Sequence, residues 1–455
     1  MNHGRASWHS TVWGIVPHPE KPSILMLPDA NSTSWTLPAV ELGRRIGFSA
    51  VWPVTHAMTD LLGTPVTALR CVTQAVDEDK HIYRGVFTLE NKGSMAIPLP
   101  NSRWINHDEL AELTLAAEID RSLLQQYLAE IDGNIPPNRR TWQQQGWYST
   151  AHQWVGSTLA ANGYTPTGSI EQFDSWGLTC LMTVATDRGR IFFKTAPDLP
   201  LFAHEPTVMA GLATLFPGQI PQPVAVEPNQ RWMLLADFGR TLDDRPQGEV
   251  DAIQADMIRH FGQLQIEAIP HTEKLLGFGC LDRRLRHLIP HAEELFADEH
   301  FMDCFETQDA QHLRARLPQL HRFCEQLANF NIPETLIHGD LGLGNIAGEI
   351  EHPLFFDWTE AAIGHPFFDI FDMFFADDTA KQTTIRERYL SVWERYEPQH
   401  RLHEAWSIAR PLCALYHLIS YRNIYNNLES PYQEAMLFFV HRWGKRLLAY
   451  TSNRD

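Results

Sequence analysis

One stretch in the C-terminal half constrains the fold of this chain more than any other. Residues 336–345 read LIHGDLGLGN. An apolar run is followed by a glycine-containing loop that carries Asp340, and Asn345 lies five residues later. A second apolar run, at 354–356, ends at Asp357. Either part alone is ordinary turn chemistry. Together they match the needs of phosphoryl transfer, in which one carboxylate accepts the proton of the attacking hydroxyl while an amide oxygen and a second carboxylate hold Mg²⁺. The spacing predicts Asp340 as the catalytic base and Asn345 and Asp357 as the Mg²⁺ ligands.

The same stretch carries a family resemblance. HGDLxxxN at 338–345, followed by FDWxEAxxGxPxxDI at 356–370, resembles the aminoglycoside phosphotransferase and choline kinase group. These small-molecule kinases share the protein-kinase fold. The resemblance implies a two-lobed, kinase-like α+β fold with a mostly helical large lobe, and it extends more weakly over roughly 165–440. It also implies that Asp369 braces the catalytic loop and that His338 is a bracing residue rather than a base.

The amino-acid composition limits the classes of partner that this chain is expected to bind. The chain of 455 residues has 37 basic and 55 acidic side chains, a net charge of −18 that argues against non-specific binding of nucleic acid. Its six cysteines are scattered without a C-x-x-C pair, so neither a zinc site nor a disulfide framework is indicated. The N-terminus has no basic segment followed by an apolar core, and no apolar run reaches transmembrane length. We therefore expect a cytoplasmic protein without membrane partners, whose oligomeric state the sequence does not decide.

Residues 1–131 form a predicted α+β domain. Residues 50–62 read as a helix closed by Gly63, and Asn106 or Asp108 begins a helix running to about residue 131. Short apolar runs predict strands at 10–16, 23–27, 66–74 and 81–89. This order resembles a Nudix domain.

The metal-binding residues of such a domain are missing. A Nudix hydrolase carries an R-E-x-x-E-E-x-G helix whose glutamates bind the metals that activate water. Aligning its glycine on Gly63 leaves Asp60 as the one carboxylate of that core. We therefore expect a degenerate, catalytically inactive Nudix-like domain, with an unrelated small α+β domain as the alternative.

Residues 132–146 are predicted to be a linker, because a glycine, two prolines and a run of glutamines give no apolar face. Residues 147–238 follow as the small lobe of the kinase-like fold and 239–455 as the large lobe. The large lobe is read as mostly helical, since apolar residues recur at three-and-four spacing. Helices are predicted at 250–269, 282–296, 308–329, 380–396, 403–427 and 432–452.

The small lobe supplies candidate ATP-binding residues. Lys194 ends the strand-like run 190–195, where a lysine can reach the α and β phosphates. Glu205, at the entrance of a helix predicted over 205–215, is the candidate that holds Lys194 in place. The alternatives are a solvated strand-edge lysine and a glutamate that caps the helix.

The remaining nucleotide contacts are assigned by position. Only Ser175 and Gly177 stand where a protein kinase has its glycine-rich loop over the phosphates, and a strand is predicted over 176–185. The run 231–237 reads as a strand entering the hinge, so Ala236 and Phe238 are adenine-binding candidates.

These residues predict an ATP- and Mg²⁺-dependent kinase that phosphorylates a hydroxyl of a small molecule. Aminoglycosides, choline-like alcohols, amino alcohols and sugars all remain open as acceptors. Three alternatives also stand: a nucleotide-binding pseudokinase, nucleotidyl transfer on the same fold, and nucleoside-diphosphate hydrolysis by the N-terminal domain. The single Asp60 argues against the last, and the short glycine loop keeps the first open.

Overall fold

The computed structural model describes residues 8–29, 33–93, 99–369 and 379–452. The chain forms two compact units. The first comprises Met1–Lys194 with Leu428–Glu434, and the second comprises Thr195–Asn427 with Ala435–Asp455. The first unit therefore holds the N-terminal α+β domain, the linker and the first strands of the predicted small lobe. Among the described residues, no helix is both long and apolar enough to cross a membrane.

Within residues 8–29, 33–93 and 99–131, the N-terminal domain has two sheets and three helices. A four-stranded sheet has the order β4-β1-β6-β5, and a three-stranded sheet has the order β3-β2-β7. Strands β1 and β6 are parallel, and the other neighbours in the first sheet are antiparallel. The elements are β1 (His9–Ile15), β2 (Ile24–Pro28), β3 (Trp35–Thr36), β4 (Ala39–Leu42), α1 (Val51–Leu62), β5 (Val66–Asp77), β6 (Ile82–Asn91), β7 (Arg103–Ile105), α2 (His107–Glu112) and α3 (Arg121–Ile131).

The predicted single helix ending near residue 131 is wrong, because α2 and α3 are separate. Trp35 interrupts it: its N–H donates to the Thr114 carbonyl, and its own carbonyl accepts from the Ala116 N–H. Asp120 then caps α3 by accepting a hydrogen bond from the Ser122 N–H at 2.8 Å. Strand-like pairing and a new cap are incompatible with one continuous helix.

The rest of the first unit is a helix followed by three strands. These are α4 (Trp147–Ala161), β8 (Glu171–Ser175), β9 (Cys180–Thr186) and β10 (Gly189–Thr195). Strands β8 and β9 form an antiparallel hairpin. The strand predicted to begin at 176 begins instead at Cys180, because 176–179 form the hairpin turn, closed by a hydrogen bond from the Trp176 N–H to the Thr179 carbonyl at 2.9 Å.

The second unit is mostly helical, as predicted. Its elements are α5 (Glu205–Leu215), β11 (Pro223–Glu227), β12 (Trp232–Ala236), α6 (Gln247–Ala268), α7 (Thr272–Phe278), β13 (Leu281–Asp282), α8 (Leu285–Ala297), α9 (Glu299–Met302), α10 (Thr307–Ala315), α11 (Leu317–Leu327), β14 (Thr335–Ile337), β15 (Ile346–Glu349), β16 (His352–Phe355), β17 (Ala362–Gly364), α12 (Thr379–Leu390), α13 (Gln399–Asn426) and α14 (Tyr432–Ser452), whose first three residues belong to the first unit. The predicted helix 308–329 is two helices, since Pro318 fits only the first turn of α11.

Two small sheets position the candidate catalytic loop, residues 338–345. One has the order β13-β17-β14, and the other is the β15-β16 hairpin. The three residues of β14 are fully buried in the core of the second unit, as is Phe355 at the end of β16. Because these strand residues are buried, the point at which the chain leaves each strand is fixed. The loops that carry Asp340 and Asp357 therefore start from fixed positions.

Candidate active site

The catalytic loop leaves β14 through a sharp turn at Gly339. Its φ is +84°, and a Cβ at this position would lie 2.7 Å from both the Cβ and the carbonyl oxygen of Glu360. Only glycine tolerates both conditions without strain. The turn carries the chain from buried His338 to exposed Asp340 within two residues. A candidate base is therefore presented to solvent from a rigid, buried support.

Asp369 clamps this turn, as the resemblance implies. Its Oδ2 accepts a hydrogen bond from the His338 N–H at 2.7 Å, and its Oδ1 accepts one from the Gly339 N–H at 2.8 Å. Gln265 Nε2 donates to Oδ2 at 3.1 Å. Burial raises the pKa of Asp369 to about 7, although the N–H groups around it favour the ionised form. The carboxylate holds two consecutive backbone amides immediately before Asp340.

Gln265 connects the clamp to three further groups. The Tyr389 hydroxyl donates to its Oε1 at 2.6 Å and lies 3.0 Å from the carbonyl of Pro366. The hydroxyl of Thr335 donates to the Gln265 backbone carbonyl at 2.6 Å. Both Gln265 and Tyr389 are fully buried. This network ties α6, α12 and β14 to the segment that contains Asp369.

His338 is a bracing residue. Its Nε2 lies 2.8 Å from the Phe356 carbonyl, which can only accept, so the proton sits on Nε2. Its ring lies 4.5 Å from that of Trp358 between centroids. The side chain is fully buried and links the loop after β14 to the chain just after β16. Because the His338 side chain is not exposed to solvent, it cannot reach a substrate hydroxyl as a base.

Asn345 and Asp357 stand on the segments on either side of the β15-β16 hairpin. The Asn345 Nδ2 donates to the Asp340 carbonyl at 2.8 Å, and the Asn345 carbonyl accepts from the Phe356 N–H at 3.2 Å. Asp357 has a φ of +64°, a left-handed conformation that is uncommon outside glycine and is often found at functional sites. Its Oδ1 accepts from the Thr359 hydroxyl at 2.6 Å.

This donor set fits Mg²⁺. Because the amide nitrogen of Asn345 is committed to Asp340, its oxygen is the end left to coordinate. An amide oxygen and a carboxylate are hard ligands, and Mg²⁺ is usually held by one or two carboxylates with phosphate oxygens and water completing the octahedron. Among the described residues, there is no group of three or more His, Cys, Asp or Glu that could hold a metal without such help.

Glu360 is a further acidic side chain beside Asp340. Burial raises its pKa to about 8, and the negative charge of Asp340 adds to this effect. The Ser420 hydroxyl, which hydrogen-bonds Glu360, and the nearby Arg283 work in the opposite direction. Arg283 is itself held by the Ser420 hydroxyl at 2.6 Å and by the Tyr416 carbonyl at 3.1 Å.

Tyr421 belongs to the same electrostatic group. Burial raises the pKa of its hydroxyl, and the charges of Asp340 and Glu360 raise it further. Its ring stacks on Phe439 at 5.1 Å between centroids and an angle of 7°. The carboxyl group of Glu360 and the hydroxyl of Tyr421 therefore lie in the electrostatic surroundings of exposed Asp340.

The other predicted nucleotide contacts are placed as follows. Lys194, near the end of β10, is 8% exposed, and Glu205, the first residue of α5, is 2% exposed. Ala236 is the last residue of β12, and the ring of Phe238 lies 4.6 Å from that of Phe356. Their roles toward ATP stay predictions.

Ser175 and Gly177 are both buried in the first unit. The Ser175 hydroxyl accepts from the Tyr148 hydroxyl at 3.4 Å, and its N–H donates to the Ser49 carbonyl at 3.2 Å. These groups of Ser175 are thus engaged within the protein. The assignment of the two residues to ATP remains a prediction.

Sequence reasoning missed two supports of the site. Gln265 lies in the middle of α6, and Tyr389 lies in α12, 124 residues further along the chain. A glutamine and a tyrosine inside helical stripes give no signal of pairing with each other. Glu360 stood within the recognised motif, but its closeness to Gly339 and Asp340 follows from the tertiary fold.

Comparison with known proteins agrees with the motif. Residues 186–406, just under half of the chain, match the model of the phosphotransferase enzyme family. The matched range contains Lys194, Glu205, Asp340, Asn345 and Asp357. No curated protein matches the chain. The Nudix resemblance of the N-terminal domain lies outside the matched range and stays a prediction.

Solved structures of low identity are also similar. A choline/ethanolamine kinase family protein from Mesorhizobium loti is 14% identical, covering 67% of this chain and 98% of its own, with a TM-score of 0.45. Choline kinase LicA from Streptococcus pneumoniae is 12% identical, covering 66% and 100%, with a TM-score of 0.46. A mutant aminoglycoside phosphotransferase, APH(4)-Ia, in complex with ADP and hygromycin B, is 13% identical, covering 67% and 99%, with a TM-score of 0.45. These TM-scores are below 0.5, so the description of the fold rests on the helices and strands of this chain.

Proposed function

We propose that this protein is an ATP- and Mg²⁺-dependent phosphotransferase that phosphorylates a hydroxyl group of a small molecule. The observation that carries the proposal is the presentation of Asp340: an exposed carboxylate on a loop whose two preceding amides are clamped by buried Asp369. The match of 186–406 to the phosphotransferase enzyme family supports the same class of reaction.

Each residue has a distinct role in this proposal. Asp340 orients the acceptor hydroxyl and takes its proton as the oxygen attacks the γ-phosphorus. Asn345 and Asp357 hold Mg²⁺, which neutralises charge on the phosphate oxygens when bound. Lys194, held by Glu205, contacts the α and β phosphates. Ala236 and Phe238 contact the adenine, and Ser175 and Gly177 flank the turn over the phosphates.

The acceptor is proposed to carry an amine or ammonium group. Glu360 and Asp340 are close enough for their charges to interact, and the hydroxyl of Tyr421 lies near enough to feel both charges. The Glu360 carboxyl of the free protein holds its proton at neutral pH, but an ammonium group beside it would favour the ionised form, so this pair of carboxyl groups favours a cationic acceptor. Glu360→Gln should raise KM for amino-alcohol or aminoglycoside acceptors about 10-fold while leaving KM for ATP within about 2-fold. Equal KM values for neutral sugars and amines, unchanged by the variant, would contradict this acceptor class.

The first experiment is ATP turnover with Mg²⁺ against a panel of amines, amino alcohols, sugars and nucleosides. Asp340→Asn should lower kcat by roughly 10²- to 10⁴-fold, the usual contribution of a general base, while nucleotide binding persists. Asp60→Asn is the matched control, because it makes the same chemical change at the exposed carboxylate of the N-terminal domain. It should retain full turnover.

Other outcomes separate the alternatives. Nucleotide binding without turnover on any acceptor would favour the pseudokinase. Transfer of the nucleotide moiety with release of pyrophosphate would favour nucleotidyl transfer. Hydrolysis of nucleoside diphosphates that is lost in Asp60→Asn but kept in Asp340→Asn would place the activity in the N-terminal domain.

A further inference from the structure

The β15-β16 hairpin, which separates the two proposed Mg²⁺ ligands, presents backbone carbonyls on its outer edge. At its base the Phe356 N–H donates to the Asn345 carbonyl at 3.2 Å, so these two residues form a hydrogen-bonded pair. Hydrogen-bonded and non-hydrogen-bonded pairs alternate along an antiparallel ladder, and in the second kind the backbone polar groups point away from the partner strand. By the register of the hairpin, the carbonyls of Ile346 and Gly348 therefore face outward from β15.

The segment 237–245, which follows β12 in the same compact unit, lies along this outer edge. The Leu242 N–H donates to the Ile346 carbonyl at 2.9 Å. The guanidinium Nη2 of Arg245 donates to the Gly348 carbonyl at 2.6 Å. Both outward carbonyls of β15 are thus bonded by the segment 237–245, which extends the hairpin in the manner of a third strand.

The same segment contacts a neighbour of each proposed ligand. The Leu242 bond goes to the residue directly after Asn345. The ring of Phe238 lies 4.6 Å, between centroids, from that of Phe356, the residue directly before Asp357. Leu242 is fully buried, so its bond to the hairpin is shielded from water. The position of the hairpin, and with it the separation of the two ligands, therefore depends on the segment 237–245.

Arg245 is the side chain that anchors the tip of the hairpin. Its Nη2 also lies 3.3 Å from Glu349 Oε1, but that glutamate side chain is 76% exposed, so the ion pair adds little. Gly348 has a φ of +81°, and a Cβ there would lie 2.3 Å from the His352 carbonyl oxygen. The tight turn fixes the direction of the Gly348 carbonyl. The Arg245 side chain, 11% exposed, meets this carbonyl from the segment 237–245.

We infer that Arg245 is a positioning residue, which holds the β15-β16 hairpin so that Asn345 and Asp357 keep the separation that one Mg²⁺ requires. The inference rests on the proposed function, because it takes these two residues as the metal ligands. Mg²⁺ demands nearly ideal octahedral geometry, so a hairpin that is free to tilt would bind it less well. Arg245 itself bonds the hairpin backbone and acts on the metal through it.

The test removes the guanidinium and measures what Mg²⁺ adds to nucleotide binding. Calorimetry gives the affinity for β,γ-imido-ATP in Mg²⁺ and in EDTA. Arg245→Met should bind the analogue in EDTA within about 2-fold of the wild type, but the strengthening by Mg²⁺ should be about 3- to 10-fold smaller, the usual effect of one lost hydrogen bond. The Mg²⁺ concentration that half-saturates turnover should rise by a similar factor. Arg245→Lys, which keeps a donor, should recover most of the Mg²⁺ effect.

Arg314→Met is the matched control. Arg314 donates to the Phe296 carbonyl of α8 at 3.0 Å and to Glu299 at 2.7 Å, so the same kind of contact is lost at a helix instead of at the hairpin. This variant should keep the full Mg²⁺ effect. Folded Arg245→Met with the Mg²⁺ effect of the wild type would overturn the inference and leave the proposed function standing. A wild type that binds the analogue equally in Mg²⁺ and in EDTA would overturn both, because the metal site itself would be absent.

Hydrogen exchange on the wild type provides a second test that needs no variant. The Leu242 amide should exchange at least about 3-fold more slowly with the analogue and Mg²⁺ than with the analogue in EDTA. A metal that binds only the closed hairpin raises the free energy of opening it, and a hydrogen-bonded amide must open before it exchanges. Equal exchange in the two conditions, in a sample whose nucleotide binding Mg²⁺ strengthens, would overturn the inference even if the Arg245 variants failed to fold.

Discussion

Single residues set the geometry of the catalytic loop. Gly339 is required because a side chain would meet Glu360 at 2.7 Å, and Asp357 adopts a left-handed conformation at a φ of +64°. A non-glycine residue in that region costs about 1–2 kcal/mol. The surrounding core must offset this cost, and the neighbouring buried Trp358 and Phe355 supply apolar burial for it. The strain lies at the residue proposed to bind Mg²⁺.

Glu360 should make the stability of the ligand-free protein depend on pH. Its pKa is about 8 in the folded protein, above its value in the unfolded chain, so the folded state binds more protons between about pH 4.5 and 8. Its contribution to the free energy of unfolding is therefore greatest below about pH 4.5 and is lost as pH rises through about 8. The loss is at most about 1.4 kcal/mol per pH unit for one proton.

Urea unfolding of the wild type and of Glu360→Gln at several pH values checks this expectation. The glutamine variant should lose less stability between pH 6 and pH 9 than the wild type, because it has no proton to release. Parallel pH profiles for the two proteins would show that Glu360 ionises normally.

At the level of secondary structure, the catalytic loop depends on elements that are distant in sequence. Strand β14 delivers the loop, α6 contributes Gln265, and α12 contributes Tyr389. The 3.6-residue repeat of each helix is predictable, but the repeat does not say which helix faces which strand. Buried polar side chains at the crossing select the partner, because an unpaired polar group there is costly.

Tyr389→Phe tests this network. The change removes one hydroxyl, which leaves the Gln265 Oε1 and the Pro366 carbonyl without that donor. The free energy of unfolding should fall by about 1–3 kcal/mol, the cost of an unsatisfied buried acceptor. Tyr396→Phe, at a half-buried tyrosine in the same unit, is the control and should change stability by less than about 0.5 kcal/mol. Equal stability of the two variants would refute the importance of the network.

On the scale of the whole molecule, the first unit gathers residues from three parts of the chain. Arg139 of the linker bonds Glu130 of α3 at 2.7 Å and Glu429 of the segment Leu428–Glu434 at 3.1 Å. Arg70 of β5 adds a second bond to Glu130 at 3.0 Å. Although burial raises the pKa of Glu130, the two arginines outweigh it and hold that pKa below its usual range. The four side chains form a buried, charge-balanced cluster.

Arg139→Met should destabilise the first unit by about 3–5 kcal/mol, because Glu130 and Glu429 would then share the single charge of Arg70 and one largely buried carboxylate would be left uncompensated. Arg84→Met is the control: this arginine is exposed on β6, and its loss should cost less than about 0.5 kcal/mol. Thermal unfolding followed by calorimetry measures both. A loss as small as that of the control would mean that the cluster adds specificity rather than stability.

The sequence by itself located the candidate trio of Asp340, Asn345 and Asp357, the helix over 205–215 and the mostly helical character of the second unit. It could do so because these features are local: a loop between two apolar runs, a proline-started helix and regular apolar stripes are all visible within about 20 residues. The helix predicted at 432–452 also matches α14, for the same reason.

Tertiary structure alone decided the rest. The break between α2 and α3 follows from pairing with Trp35, the clamp of Asp369 needs Gln265 from another helix, and the burial of Gly177 needs the distant segment Leu428–Glu434. Each of these contacts joins residues separated by many tens of positions. Hydrophobic periodicity carries no information on which distant polar groups will meet, so only the folded chain reveals how the segment 237–245 meets the β15-β16 hairpin.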